Sequence, residues 1–302
     1  MERSIEEKRQ AIDRAQQLLL KLAAFKNDLP FSPVILQKIF SQTGDNSVSP
    51  IEEIAETIEG DQGLTAKILR LANSAFYGLQ AQVTNVSRAI SVLGLNEIKS
   101  IVVAVGVAAM GKNKKPPETF DLTAYWSHQL RVGMAAKRLA SLVHLDNPDD
   151  LFTSGLLHDL GKLLIAIHAP ADWQAIDETA REGNLPTHEA EDAHWALEHG
   201  VVGSMTLKSW NLPPELTEPV NWHHSPMVAP EFRKEALILC LADALVLSLT
   251  NPESPSSCDW RDVLAKLHLE RDKVMAELET LFAGKDIDNF TNSLTRGDEP
   301  CR

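Results

Sequence analysis

The chain has 302 residues, 42 acids against 29 bases and a formal net charge of −13. Its length suffices for a sizeable core and for two lobes. The acidic balance, with no basic block beyond Lys112-Asn113-Lys114-Lys115, argues against a nucleic-acid surface, which needs clustered cations to neutralise phosphates.

Helix formers dominate and alternating β-branched runs are scarce, which predicts an all-α fold. Residues 4–25 set Ile5, Ile12, Ala15, Leu19 and Leu22 among charges, an amphipathic helix that packs on the body or, in a homodimer, on a second chain. The prolines of "NDLPFSP" (Asn27–Pro33) end it. Short helices follow over 34–40, 50–59, 64–72, 86–93 and 97–110, with Ser49-Pro50, Asp61 and Asn85 as start signals. Residues 77–85 are the extended connection, where Gly78 permits a positive φ. The charged, proline-bearing "GKNKKPPETF" (Gly111–Phe120) marks a lobe boundary. Beyond it, helices are predicted over 121–143, over 152–170 as one buried segment, and over 171–182, 187–197, 200–210, 214–223 and 230–249. Two or three more follow "NPESPSSCDW" (Asn251–Trp260). The resulting plan is an amino-terminal helix (1–27), a helical lobe (28–115), a second helical lobe (118–250) and a helical extension (251–302).

The amino terminus lacks the apolar core of a leader, and the longest apolar run, Ile101–Met110, falls well short of a membrane span. Three isolated cysteines, Cys240, Cys258 and Cys301, lack metal-finger spacing and imply no disulfide framework. A cytoplasmic protein without a membrane segment is expected.

Chemistry enters where polar groups interrupt apolar helices. His158, Asp159 and Lys162 lie inside "GLLHDLGKLLIAI", and an imidazole, a carboxylate and an ammonium in such a core must be partnered. His158 and Asp159 side by side are good ligands for a divalent metal. A second lone acid, Asp243, sits at the centre of "EALILCLADALVLSLT". His128, His199 and the pair His223-His224 lie on or at the ends of neighbouring helices, where side chains are anchored on one side and free on the other. Together these groups exceed the needs of one metal and suit two, with Asp159 bridging. Without a metal, the same residues would be a hydrogen-bonded core network, Lys162 would extend its ammonium to solvent, and Cys240 would be packing. His144, His168, His188, His194 and His268 are assigned no role. Trp126, Trp195, Trp210 and Trp222 are read as core.

"SHQLRVG", "GLLHDLGK", "HGVVG", "WHH" and "LADAL" resemble the successive motifs of the HD phosphohydrolase superfamily. "LPFSPVILQKI", "DQGLTAKILRLANSAFYG", "VSRAISVLGLNEIKSIVV" and "WNLPPEL" narrow the resemblance to HDOD domains, helical relatives of the HD-GYP cyclic-dinucleotide phosphodiesterases. It implies a two-lobed helical bundle with an HD-like second lobe and a role in bacterial signal transduction. By motif, His128, His158, Asp159 and Asp243 correspond to the core metal ligands of HD enzymes, and His199, His223 and His224 to the additional ligands of HD-GYP enzymes. Lys162 would face phosphate. The implied cofactor is one or two divalent transition metals (Fe, Mn, Zn or Ni). Two departures stand out: the paired histidines run into "HHSPMVAPEF" with no GYP signature, and the position four before His128, where some relatives offer a glutamate, is Ala124.

Three functions follow as expectations, the last being a metal-free scaffold whose helices over 4–25 and after Asp259 mediate dimerisation or docking. The first is a regulatory module that binds a signalling partner protein or a small phosphorylated, nucleotide-like ligand, with a structural or sensory metal. The alternative is a metal-dependent phosphodiesterase in which Lys162 holds a phosphate oxygen.

Overall fold

The structure, a computed structural model, describes residues 5–25, 33–42, 49–113, 115–256, 258–284 and 286–295. Among the described residues every regular element is a helix and no strand occurs. The first half comprises α1 (Ile5–Phe25), α2 (Pro33–Gln42), α3 (Ile51–Glu59), α4 (Gln62–Ala72), α5 (Val86–Leu93) and α6 (Leu95–Asn113). Asp61 and Asn85 cap α4 and α5: their side chains accept the backbone N–H of Leu64 at 2.9 Å and of Arg88 at 2.8 Å. At α3 the cap position is Pro50, which makes no side-chain bond. The extended connection is pinned by Asn73, whose amide donates to the Leu69 and Val83 carbonyls and accepts from the Val83 N–H, while Gly78 turns at φ +59°. From Ile101 to Met110, α6 is buried on every face, as its unbroken apolar run requires.

The second half holds α7 (Leu122–Leu142), α8 (Pro148–Leu157), α9 (Leu160–His168), α10 (Pro170–Gly183), α11 (Thr187–Trp195), α12 (His199–Ser209) and α13 (Pro214–Trp222). After a 3₁₀ turn over Pro226–Val228 come α14 (Arg233–Thr250), α15 (Trp260–Lys266), α16 (Arg271–Ala283) and α17 (Ile287–Thr295). The segment 152–170, expected as one helix, is two. It breaks at His158 and Asp159, and Asp159 adopts φ −97° and ψ 14°, in the bridge region between helix and turn. An apolar surround on all faces gives a periodicity argument no means of detecting this break.

α1 lies on α11 and α12 of its own chain. α17 packs on α7, α6 and α4, and its Phe290 ring sits 4.7 Å from Phe76. One apolar core therefore runs from Leu18 of α1 through α6 and α9 to Leu294 of α17. A second, smaller core gathers α7, α14, α15 and α16. Trp126, Trp195 and Trp210 are core residues, as expected, whereas Trp222 is half-buried and donates its indole N–H to Glu218, and no single helix among the described residues is long and apolar enough to cross a membrane.

Candidate metal centre

Five places in the second half deliver the polar groups to one point: His128 from α7, His158 and Asp159 from the α8–α9 break, His199 from the first position of α12, His223 and His224 from the end of α13, and Asp243 from the middle of α14. Backbone approach makes this convergence possible. At the α7–α8 crossing a Cβ on Gly155 would lie 2.6 Å from the Cα of Gly133. A Cβ on Gly161 would lie 2.0 Å from the His199 carbonyl oxygen. Only hydrogen fits at either place, so α7 meets α8 and α9 meets α12 closely enough for their side chains to share a ligand.

The groups fall into two clusters joined by Asp159. In the first, Asp243 Oδ1 lies 3.1 Å from His128 Nε2 and 3.8 Å from His158 Nε2, and Asp159 Oδ2 lies 3.8 Å and 3.4 Å from the same nitrogens. Ligand atoms bound at about 2.1 Å around a tetrahedral ion stand about 3.4 Å apart, which these four distances bracket. In the second, His199 Nε2 is 2.9 Å from Asp159 Oδ1 and 3.0 Å from His224 Nε2, and a nitrogen of His223 completes the group. Asp159 turns one oxygen to each cluster.

The hydrogen bonds fit these residues to a cation better than to one another. His158 Nδ1 lies 2.8 Å from the Gly155 carbonyl and His223 Nδ1 2.7 Å from that of Val220, so each Nδ1 donates and each Nε2 carries its lone pair inward. Both Nε2 atoms are buried without a hydrogen-bond partner. Asp159 Oδ1 is buried as well, with His199 Nε2 2.9 Å away. Two bare ring nitrogens converging on a buried carboxylate in a protein interior are costly unless a cation accepts their electron pairs. Histidine and carboxylate donors suit a divalent transition metal.

Charge states agree. Burial raises the pKa of Asp159, but His158, Lys162 and His199 together hold it well below the usual carboxylate value. Asp243 is likewise raised by burial and drawn down further by His128 and then His158. Burial lowers His158, and pushes His223 and His224 well below the ordinary imidazole value, keeping them neutral. His199 differs: burial lowers its pKa, yet the adjoining Glu191 carboxylate raises it to about 9.

Glu191, on α11, was not singled out in the sequence. It is fully buried, and its Oε2 accepts both the backbone N–H of His199 and, at 2.7 Å, the Nδ1–H of its ring. The carboxylate thus fixes the tautomer and leaves Nε2 to face the cluster. No pattern in "THEAEDAHW" separates this acid from its exposed neighbours. His188, assigned no role, stacks on His224 with ring centroids 3.9 Å apart and lines a cavity of about 110 Å³ beside the clusters. Its pKa is lowered to about 4 by burial and by His199 and Lys162. Lys162 also lines this cavity, its ammonium 2.9 Å from Asp159 Oδ2, so it is paired within the centre rather than free in solvent. Ser254, Pro255, Ser256 and Cys258 line the same cavity.

Residues 29–226 match the HDOD domain. The chain belongs to the HDOD family. Solved structures agree with this HDOD assignment at the level of fold. One, from Marinobacter aquaeolei VT8 and provisionally described as a signal transduction protein, aligns with TM-score 0.77 and 20% identity over 97% of this chain and 68% of its own. Another, from Shewanella amazonensis SB2B and provisionally described as a phosphohydrolase, aligns with TM-score 0.70 and 22% identity over 90% of this chain and 97% of its own. An uncharacterized protein of Treponema pallidum (strain Nichols) is 23% identical over 249 residues, 82% of the HDOD chain and 47% of the relative. The chain thus spans about half the length of that curated relative. Family and fold together define a helical HDOD module.

Proposed function

We propose that this HDOD chain is a signal-transduction module whose second lobe holds one or two divalent transition metals in a structural or sensory role. The observation that carries the reading is the pair of side-chain clusters sharing Asp159, with His158 and His223 locked in the tautomer that turns a bare Nε2 inward. His128, His158, Asp159 and Asp243 would hold one ion, and His199, His223 and His224 with Asp159 the other. When present, the metal supplies positive charge and Lewis acidity. The chain's own contribution is to clamp α7, α8, α9, α12, α13 and α14 to one point. The cavity of about 110 Å³ admits a small anion; pockets for nucleotide-sized ligands run to about 300–1,000 Å³. That size favours regulation, through a partner protein or a small phosphorylated ligand, over turnover of a cyclic dinucleotide. Mass-spectrometric metal analysis of protein purified without added metal and without oxygen tests the reading. One or two metals per chain are expected, and a metal-free chain that is fully folded and takes up none on titration would overturn it.

The second reading is a metal-dependent phosphohydrolase. It is supported by the convergence of the histidine and aspartate side chains and by Lys162 at the cavity wall, where its ammonium can exchange Asp159 for a phosphate oxygen. Metal-loaded protein assayed against cyclic dinucleotides, nucleotides and generic phosphodiesters decides it, and absence of turnover across that panel would count against it.

A further inference from the structure

Two of the three cysteines meet beside the metal centre. Cys240 lies on α14, one turn before Asp243, and Cys258 follows the Ser254–Ser256 wall of the cavity. They are 18 residues apart in sequence, yet the Cys240 thiol donates to the Cys258 sulfur with the two Sγ atoms 3.0 Å apart. A disulfide needs the sulfurs about 1 Å closer than this, a shift within reach of a surface segment between α14 and α15. Cys240 is buried and Cys258 is partly exposed, so an oxidant meets Cys258 first and finds a second thiol already in contact. Nothing in the proposed metal chemistry uses either sulfur.

We propose that Cys240 and Cys258 form a reversible dithiol/disulfide pair that takes up oxidising equivalents from a hydroperoxide and, once bridged, fastens the Ser254–Ser256 wall across the metal centre. The Cys258 thiolate attacks the peroxide: an S–O bond forms, the O–O bond breaks and one water leaves after protonation, giving the sulfenic acid. The Cys240 sulfur then attacks Cys258, the S–S bond forms, the S–O bond breaks, and hydroxide leaves as water with the Cys240 proton. Two thiols and one hydrogen peroxide become one disulfide and two waters, and a dithiol reductant reverses the change. The hydrogen bond to Cys258, burial and Asp243 all raise the Cys240 thiol pKa, which leaves Cys258 as the initial nucleophile and Cys240 as the resolving thiol.

The effect on the cavity follows from its lining. Ser254, Pro255 and Ser256 line it together with Lys162, His188 and Asp243, and covalent closure of the intervening loop lowers the entropy of any state in which that wall swings out. Exchange of a metal or small anion by way of that wall is therefore slower in the oxidised chain. This second step rests on the metal-centre reading; the disulfide itself does not.

The test uses the full chain carrying Cys301→Ser, treated with hydrogen peroxide and mapped under non-reducing conditions. A Cys240–Cys258 linked peptide, lost on treatment with dithiothreitol, is expected. Two thiols that remain open to alkylation, or a Cys258 that stops at a sulfinic acid while Cys240 still alkylates, would overturn the pair. Zinc-loaded protein is then stripped with a chelator. The oxidised form should release metal roughly tenfold more slowly than the reduced form, and Cys258→Ser should show no response to oxidant. Equal release rates with the disulfide present would overturn the fastening of the wall alone. A chain that binds no zinc in either state would overturn the metal-centre reading and with it the exchange step, and the peptide map would still decide the thiol pair.

Discussion

Asp159 stands between two sets of histidines, each within contact of one of its oxygens. Replacing it with Ala removes the shared ligand, leaves Lys162 without its carboxylate partner and leaves His199 with Glu191 alone, a loss on the order of 3 kcal/mol for a broken buried pair. Bound metal should fall to background by mass spectrometry, and the urea midpoint should drop with it. Glu191 acts one step further out. Glu191→Gln keeps an acceptor near His199 and removes the charge, so metal affinity should weaken roughly 10- to 100-fold in chelator competition. In metal-free protein the His199 imidazole should also titrate at lower pH by NMR than it does beside the carboxylate, a change that a merely structural Glu191 would not produce. His158, Asp159 and Asp243 were evident as polar groups in apolar helices. Glu191 and His188 were not, because α11 is polar along its length and only the fold shows which of its faces is buried.

Among the helices, propensity and capping located most elements, and Asp61 and Asn85 each make the cap bonds their sequence positions suggest. The α8–α9 break escaped that logic, and it is what frees the Asp159 carboxylate from its own helix. Just beyond it, at Gly161, α9 touches the His199 backbone. Gly161→Ala should destabilise the chain by about 1–3 kcal/mol in urea unfolding, the cost of forcing a methyl group into a filled contact, and should weaken metal binding, because the displaced backbone carries His199. A second tie joins α7 to the start of α8: Lys137 pairs with Asp149, which also accepts from Asn96. Burial raises the Asp149 pKa, but these donors hold it below 3.8. A depressed carboxylate stabilises the fold above its unfolded value and loses that contribution as pH falls through the folded one. Lys137→Met should therefore be less stable than the parent at neutral pH, by no more than about 1 kcal/mol for so exposed a pair. Denaturant titrations at several pH values should show the difference closing as the pH drops below about 3.8.

Over the whole molecule, the amino acids by themselves determined the class: helix formers, caps and breakers set an all-α chain, and the ordered His and Asp motifs marked the HDOD family and its candidate ligands. These are local properties, carried by residues a few positions apart. Tertiary packing decided the rest. It turned α1 onto α11 and α12 and set α17 against α4, α6 and α7, so that the last described helix shares a core with the first half. It brought Asp243 within 3.1 Å of His128 across 115 positions, placed Glu191 behind His199, and laid Cys258 on Cys240. Such meetings depend on which helix faces bury together and on where glycine lets two backbones touch. Neither is encoded in the spacing of residues along one helix, because burial is a property of surfaces that exist only once the chain has closed on itself.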